Sequence, residues 1–124
     1  MKNLVKNTAI TLCLFTLASG FSRAEVNDEV LNLQHRWAEV NYQFQEQGQL
    51  SAFAALVSDA EKVVSTYPNS AAGWIWSGII KSTYAGAKGG LGALSLAKAS
   101  KADLEHALNI DPEALDGSAY TSLG

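Results

Sequence analysis

Apolar residues recur along the chain with a helical period. Val30, Leu33, Trp37, Val40 and Phe44 follow one another at steps of 3, 4, 3 and 4, which places them on one face of a helix. The spacing predicts a helix over 27–47, opened by Asn27 or Asp28 and ended by Gly48. Phe53, Leu56, Val57, Ala60, Val63, Val64 and Tyr67 mark a second helix over 51–67, which Pro68 stops. Ser70 is a suitable N-cap for a third over 71–85. A fourth, over 91–110, carries Leu94, Ala97, Leu104, Ala107 and Leu108 on one stripe. A fifth starts near Asp116 and runs to Gly124. No stretch alternates like a strand between hairpin turns. The turns at 48–50 and 68–70 are short, so consecutive helices should lie antiparallel. The segment 86–92 has four glycines in seven positions and reads as a flexible linker between the third and fourth helices.

The segment 1–24 has a different layout. Lys2 and Lys6 precede an apolar run, Thr8 to Ala18, and Ser22 and Ala24 set small residues at −3 and −1 of a cut. That is the arrangement of a secretory signal peptide, 1–24, removed to leave a domain of residues 25–124. The apolar run is shorter than the roughly 20 residues a membrane-spanning helix needs. Cys13 follows Leu12 and sits inside the run, so it fills the signal and is not a lipid-attachment cysteine. Cleavage leaves a thiol-free domain suited to the periplasm, without stable membrane insertion.

The chain has 124 residues and a formal net charge of −3, with 48% apolar and 17% charged residues. Such a composition folds, and the length allows one domain. A pI near 5.2 argues against nucleic acid, whose phosphates call for a basic patch. Removing Lys2, Lys6 and Arg23 takes the balance of residues 25–124 to −6, with 6 basic and 12 acidic residues. That net charge does not suit electrostatic attraction to anionic lipid. Alanine, the best helix former, supplies 16 of those 100 residues. The fold class expected is all-α.

The two prolines reveal a repeat. AEKVVSTYP ends at Pro68 and LEHALNIDP at Pro112, 44 residues later. After each comes an aromatic residue and, four positions on, a glycine: Trp74 to Gly78 and Tyr120 to Gly124. A period of this size belongs to stacked helix pairs. Trp74, Gly78, Leu104, Ala107 and Pro112 fall in the order of the tetratricopeptide repeat (TPR), which the second unit resembles. The resemblance implies an α-solenoid of TPR-like antiparallel helix pairs, with Gly78 and Ala107 letting two helix backbones approach. The unit is longer than the family's usual period, and the excess is expected in the glycine-rich segment between its helices. Ser77 stands where the family usually has leucine. The stretch from Trp76 to Gly124 is similar to exported TPR proteins related to the T component of tripartite (TRAP) solute transporters. That likeness implies a periplasmic accessory to solute transport, usually a lipoprotein, in a chain that continues past Gly124. A domain of two units and a fragment leaves its last apolar face open, which implies a homo-oligomer or a truncated array.

No catalytic set is legible. His35 and His106 lie on distant helices, and neither has a His-x-x-x-His or Glu-x-x-His partner. No metal and no cofactor are expected. Asp111 and Asp116 flank a turn and read as helix caps. The glycine-rich segment has Lys88 before Gly89 and Gly90, the wrong order for a phosphate loop. Its other reading is an anion held by backbone N–H groups at the start of the fourth helix. Trp74 and Trp76 lie about 200° apart around the third helix, so that helix should be sandwiched, with Trp74 in the core and Trp76 partly exposed. Trp76 and Tyr84 share a side. They, with Lys88, Gly89 and Gly90, are the candidate binding residues. The expected function is a non-enzymatic scaffold that binds a partner protein or peptide. The alternative is a small-ligand-binding protein with an aromatic-lined groove.

Overall fold

The computed structural model describes residues 23–124; the leader expected over 1–24 therefore lies almost wholly outside the described residues. These residues are 89% helical and contain no strand. Five helices follow in order: α1 (Arg23–Gln43), α2 (Glu46–Thr66), α3 (Ala71–Lys88), α4 (Gly90–Ile110) and α5 (Ser118–Leu123), the last preceded by a 3₁₀ turn, Ala114–Gly117. Consecutive long helices pack side by side, and α1 also touches α3, as α3 touches α5. The helix α3 is thus central, touching each of the other four.

Two apolar clusters flank it. Leu33, Leu56, Ala60, Val63 and Ile80 join α1, α2 and α3, with Trp37 and Trp76 packed against them. Ile75, Leu104, Ala107 and Ala119 join α3, α4 and α5, with Trp74 and Ile79 alongside. Phe53, Leu56, Ile75 and Ile80 are 0% exposed, and each such burial contributes about 1.5–3 kcal/mol. At Gly78 the backbones of α3 and α4 meet: a Cβ there would lie 2.6 Å from Leu104 Cγ. Gly78 therefore permits the close approach expected of it.

Several boundaries move. The first helix ends at Gln43, not at Gly48, and Phe44 is 42% exposed outside it. Gln49 explains the early stop. Its Nε2 donates to the carbonyls of Val40 (3.2 Å) and Asn41 (3.4 Å), satisfying groups that a helix end leaves open. Gly48 then lies inside α2. Asn27 and Asp28 are interior to α1 (Arg23–Gln43), so neither is its cap. Ser70 does cap α3, its Oγ accepting from Gly73 N at 3.1 Å.

The glycine-rich segment is not a linker. Only Gly89 separates α3 from α4, because Gly89 and Gly90 both take positive φ, 63° and 68°, and reverse the chain at once. The excess residues of the repeat lengthen the two helices instead. As a result the first half of α4 outruns its cover. Leu94 and Ala97, expected on the buried stripe, are exposed, while Leu104 and Ala107 are buried. Ala119 of α5 packs against that second half alone. The fifth helix begins at Ser118, since Leu115, Asp116 and Gly117 are left-handed; Asp116 is no cap, and Asp111 Oδ1 accepts from Glu113 N at 3.0 Å in the turn after α4.

Candidate functional site

Ala72, Trp76, Ile79 and Thr83 are spaced 4, 3 and 4 along α3 and are all half-buried, so they form one row along the helix, Trp76 beside the α1–α2 cluster and Ile79 beside that of α4 and α5. Trp37 of α1 meets this row. Its Nε1 donates to Thr83 Oγ1 at 3.0 Å, and Thr83 Oγ1 donates on to the Ile79 carbonyl at 2.8 Å. The Trp37 ring stands edge-on to Trp76 at 5.7 Å and to Tyr42 at 6.1 Å. Tyr42 is 76% exposed. Gln34, Ala38 and Asn41 continue the face along α1 by helical register. Aromatic edges, one shared hydroxyl and amide side chains can hold an extended peptide by packing and hydrogen bonds.

The residues singled out from the sequence are divided by the fold. Trp74 and Trp76 do point to opposite sides, the first to α4 and the second to α1. Trp74 is half-buried rather than wholly in the core: its ring lies 4.4 Å from that of His106, and its Nε1 donates to the Pro68 carbonyl at 2.9 Å. Tyr84 stacks on Phe53 at 6.1 Å. The Lys88 ammonium lies 5.6 Å over the Tyr84 ring. Gly89 and Gly90 form the α3–α4 turn. Trp76 meets Trp37 of α1 while Tyr84 meets Phe53 of α2, and both are half-buried. Trp37, Tyr42 and Thr83 had no motif to mark them; the signal was the 3-4 spacing of Trp37 on a helix that must meet the third.

A second polar cluster is buried between α3 and α4. Asp103 Oδ2 accepts from Ser77 Oγ and from Lys81 Nζ, both at 2.7 Å. The Lys81 and Asp103 side chains are 8% and 10% exposed. Glu61 Oε1 of α2 stands 3.6 Å from the same ammonium. Ser100 Oγ donates to the Gly78 carbonyl at 2.7 Å. Ser77 is polar where the resembled family has leucine because it faces this carboxylate. Every buried side-chain polar atom among the described residues has a partner, so the cluster is self-contained.

Two grooves open nearer the proline turns. One, of about 390 Å³, runs between α1 and α2 past Glu29, Arg36, Asp59, Lys62 and Tyr67. There Arg36 donates to Asp59 at 2.8 Å and Lys62 to its other oxygen at 3.2 Å. The Arg36 bond first, then that of Lys62, holds the Asp59 carboxyl below its ordinary 3.8. Partial burial, then Glu25 and Glu29, push the Tyr67 phenol up. The other, of about 600 Å³, lies among Val26, Pro68, Ser70 and Ile110. Neither is lined by Trp76, Tyr84, Lys88, Gly89 or Gly90. Among the described residues no three His, Cys, Asp or Glu side chains gather as a metal would need, and no helix is long and apolar enough to cross a membrane. Compared with protein-family models, with curated proteins and with solved structures, the chain gives no match.

Proposed function

We propose that the chain is a non-enzymatic helical-repeat scaffold that holds a partner protein or peptide on the face shared by α1 and α3. One observation carries this reading: the first helix of each pair touches the next first helix, α1 to α3 and α3 to α5, while α2 and α4 make little or no contact. Helix pairs arranged so fan outward on one side and line up on the other, which is how α-solenoids make an extended recognition surface. The row Ala72, Trp76, Ile79 and Thr83, with Trp37 and Tyr42, lies on the lined-up side. The TPR-like order of Trp74, Gly78, Leu104, Ala107 and Pro112 favours the same architecture. The leader-like segment 1–24 favours export to the periplasm, and the likeness to the tripartite-transporter component favours an accessory role in solute transport.

Site-specific photo-crosslinking in the native host tests the scaffold. A photoreactive residue at Ile79, in that row of α3, should give a discrete protein adduct. The same residue at Ala102, exposed on α4, should not. An adduct at Ala102 alone would move the binding face. No adduct at either position would sink the scaffold reading.

A further inference from the structure

The chain is acidic in sum but not in every part. Between Glu61 and Asp103 there is no acid, and five lysines fall there: Lys62, Lys81, Lys88, Lys98 and Lys101. Lys81 is buried on Asp103, and Lys62 pairs with Asp59. Of the other three, Lys88 stands at the α3–α4 turn, and Lys98 and Lys101 lie about 12 and 17 Å along α4 from Gly90. Lys101 stands 3.6 Å from Glu105, with both side chains more than half exposed. Lys98 is exposed and Lys88 rests over Tyr84.

The same turn carries the most exposed leucine of the described residues. Leu91 is 94% exposed and Leu94 58%. Leu91, Leu94, Lys98 and Lys101 are spaced 3, 4 and 3, which puts them on one outer face of α4. The apolar pair is at the tip and the cationic pair lies behind it. The rise from Leu91 to Lys98 is about 10 Å at 1.5 Å per residue. Lysine stems can reach up to phosphate while their methylenes stay in the apolar zone. Gly89, Gly90 and Gly92 leave the turn itself without bulk. Tyr42, 76% exposed, and Phe44, 42% exposed, lie at the same end, beside the α1–α2 turn, as does Glu46.

We propose that the α3–α4 turn is a membrane-docking tip, seating Leu91 and Leu94 in the outer region of an anionic bilayer with Lys88 and Lys98 reaching lipid phosphates. Neither groove is lined by residues of this turn, and exposed leucines beside lysines match the apolar zone and the phosphates of an anionic bilayer. The acidic remainder of the domain is repelled by the same surface, which orients the approach tip first. Net charge alone suggested no attraction to anionic lipid; the attraction follows from where the lysines sit.

The test uses the chain as isolated from its host, sedimented with vesicles of equal phosphatidylglycerol and phosphatidylcholine, or of phosphatidylcholine alone. Binding should favour the anionic vesicles and fall away at about 0.5 M salt, where charges are screened within roughly 4 Å. The double substitutions Leu91→Asp with Leu94→Asp, and Lys88→Glu with Lys98→Glu, should each lower partitioning about ten-fold or more. Leu31→Asp, at a leucine on α1 that is 47% exposed, should change it less than about two-fold. All these positions are exposed, and unchanged melting curves would show that the fold persists. Equal binding to both vesicle types, or tip variants that bind like the unsubstituted chain, would overturn the proposal. So would a photoreactive residue at Leu91 that yields a discrete protein adduct in cells, since that assigns the tip to a protein partner.

Discussion

Asp59 and Asp103 stand 44 residues apart, the spacing of the two prolines, and each accepts from a cation on the helix before its own. Arg36 reaches Asp59 at 2.8 Å, and Lys81 reaches Asp103 at 2.7 Å. The distances are alike, and the surroundings are not. The first pair is 39% and 36% exposed, the second 8% and 10%. Coulomb attraction across the same gap is several times stronger away from water, and so is the cost of removing each charge from water. The first pair is therefore worth little, while the second costs most when it is half removed. Gly78 makes the difference, because only there can α4 come close enough to seal a lysine beneath it.

Asp103→Ala should do the most damage. It leaves the Lys81 ammonium buried with only Glu61, 3.6 Å away and 59% exposed, and should cost about 3–5 kcal/mol by chemical denaturation. Asp59→Ala should cost less than about 1 kcal/mol. Replacing both buried partners, Lys81→Met with Asp103→Leu, should recover most of the loss, since packed apolar groups can stand in for a buried pair. A double variant as unstable as Asp103→Ala would show that packing, not an orphaned charge, governs this interface.

Gly78→Ala should come next, at about 1–3 kcal/mol. Its new Cβ would meet Leu104 at 2.6 Å and the Ser100 carbonyl at 3.2 Å, so α4 must move or Leu104 must leave its rotamer. One period earlier stands Gln34, exposed on α1, and Gln34→Ala should stay within about 0.5 kcal/mol. Comparable losses at both positions would erase the contrast between the hairpins. Thr83→Val, which takes the acceptor from the Trp37 indole, should cost about 1 kcal/mol. It should also shift tryptophan emission, because it loosens the contact between α1 and α3.

Much of this layout is legible in the chain, for physical reasons. The 3-4 spacing of Leu33, Leu56 and Leu104 with their neighbours names three of the helices and most of their inner faces, because burial is what selects that spacing. Gly78 is legible through its partner Trp74 and the repeat. The boundary at Gln43 is not, since it depends on Gln49 folding back across a turn. Nor is the glycine-rich turn: glycine permits both a loose linker and a one-residue reversal, and only the packing of α3 on α4 chooses. The buried cluster was hidden because Ser77, Lys81 and Asp103 each look like surface residues until Gly78 brings the helices together. The row through Trp37 and Thr83 needed the contact of two first helices, which no single helix encodes.

The smallest effect is the sharpest check on exposure. Arg36 and Lys62 hold the Asp59 carboxyl below 3.8, so the folded chain binds that proton less readily than the unfolded one. The stability this supplies is present above pH 3.8 and is lost as pH falls through the lower folded value. With both partners more than a third exposed, solvent screening keeps it under about 1 kcal/mol. Asp59→Asn should therefore lower the urea midpoint slightly at pH 7 and not at all near pH 2. The gap between the two chains should narrow below pH 4 and shrink in high salt. A gap that ignores salt would place Asp59 in a buried pair like that of Asp103 and dissolve the contrast between the two hairpins, and one that closes already above pH 5 would show that its partners do not hold the carboxyl below 3.8.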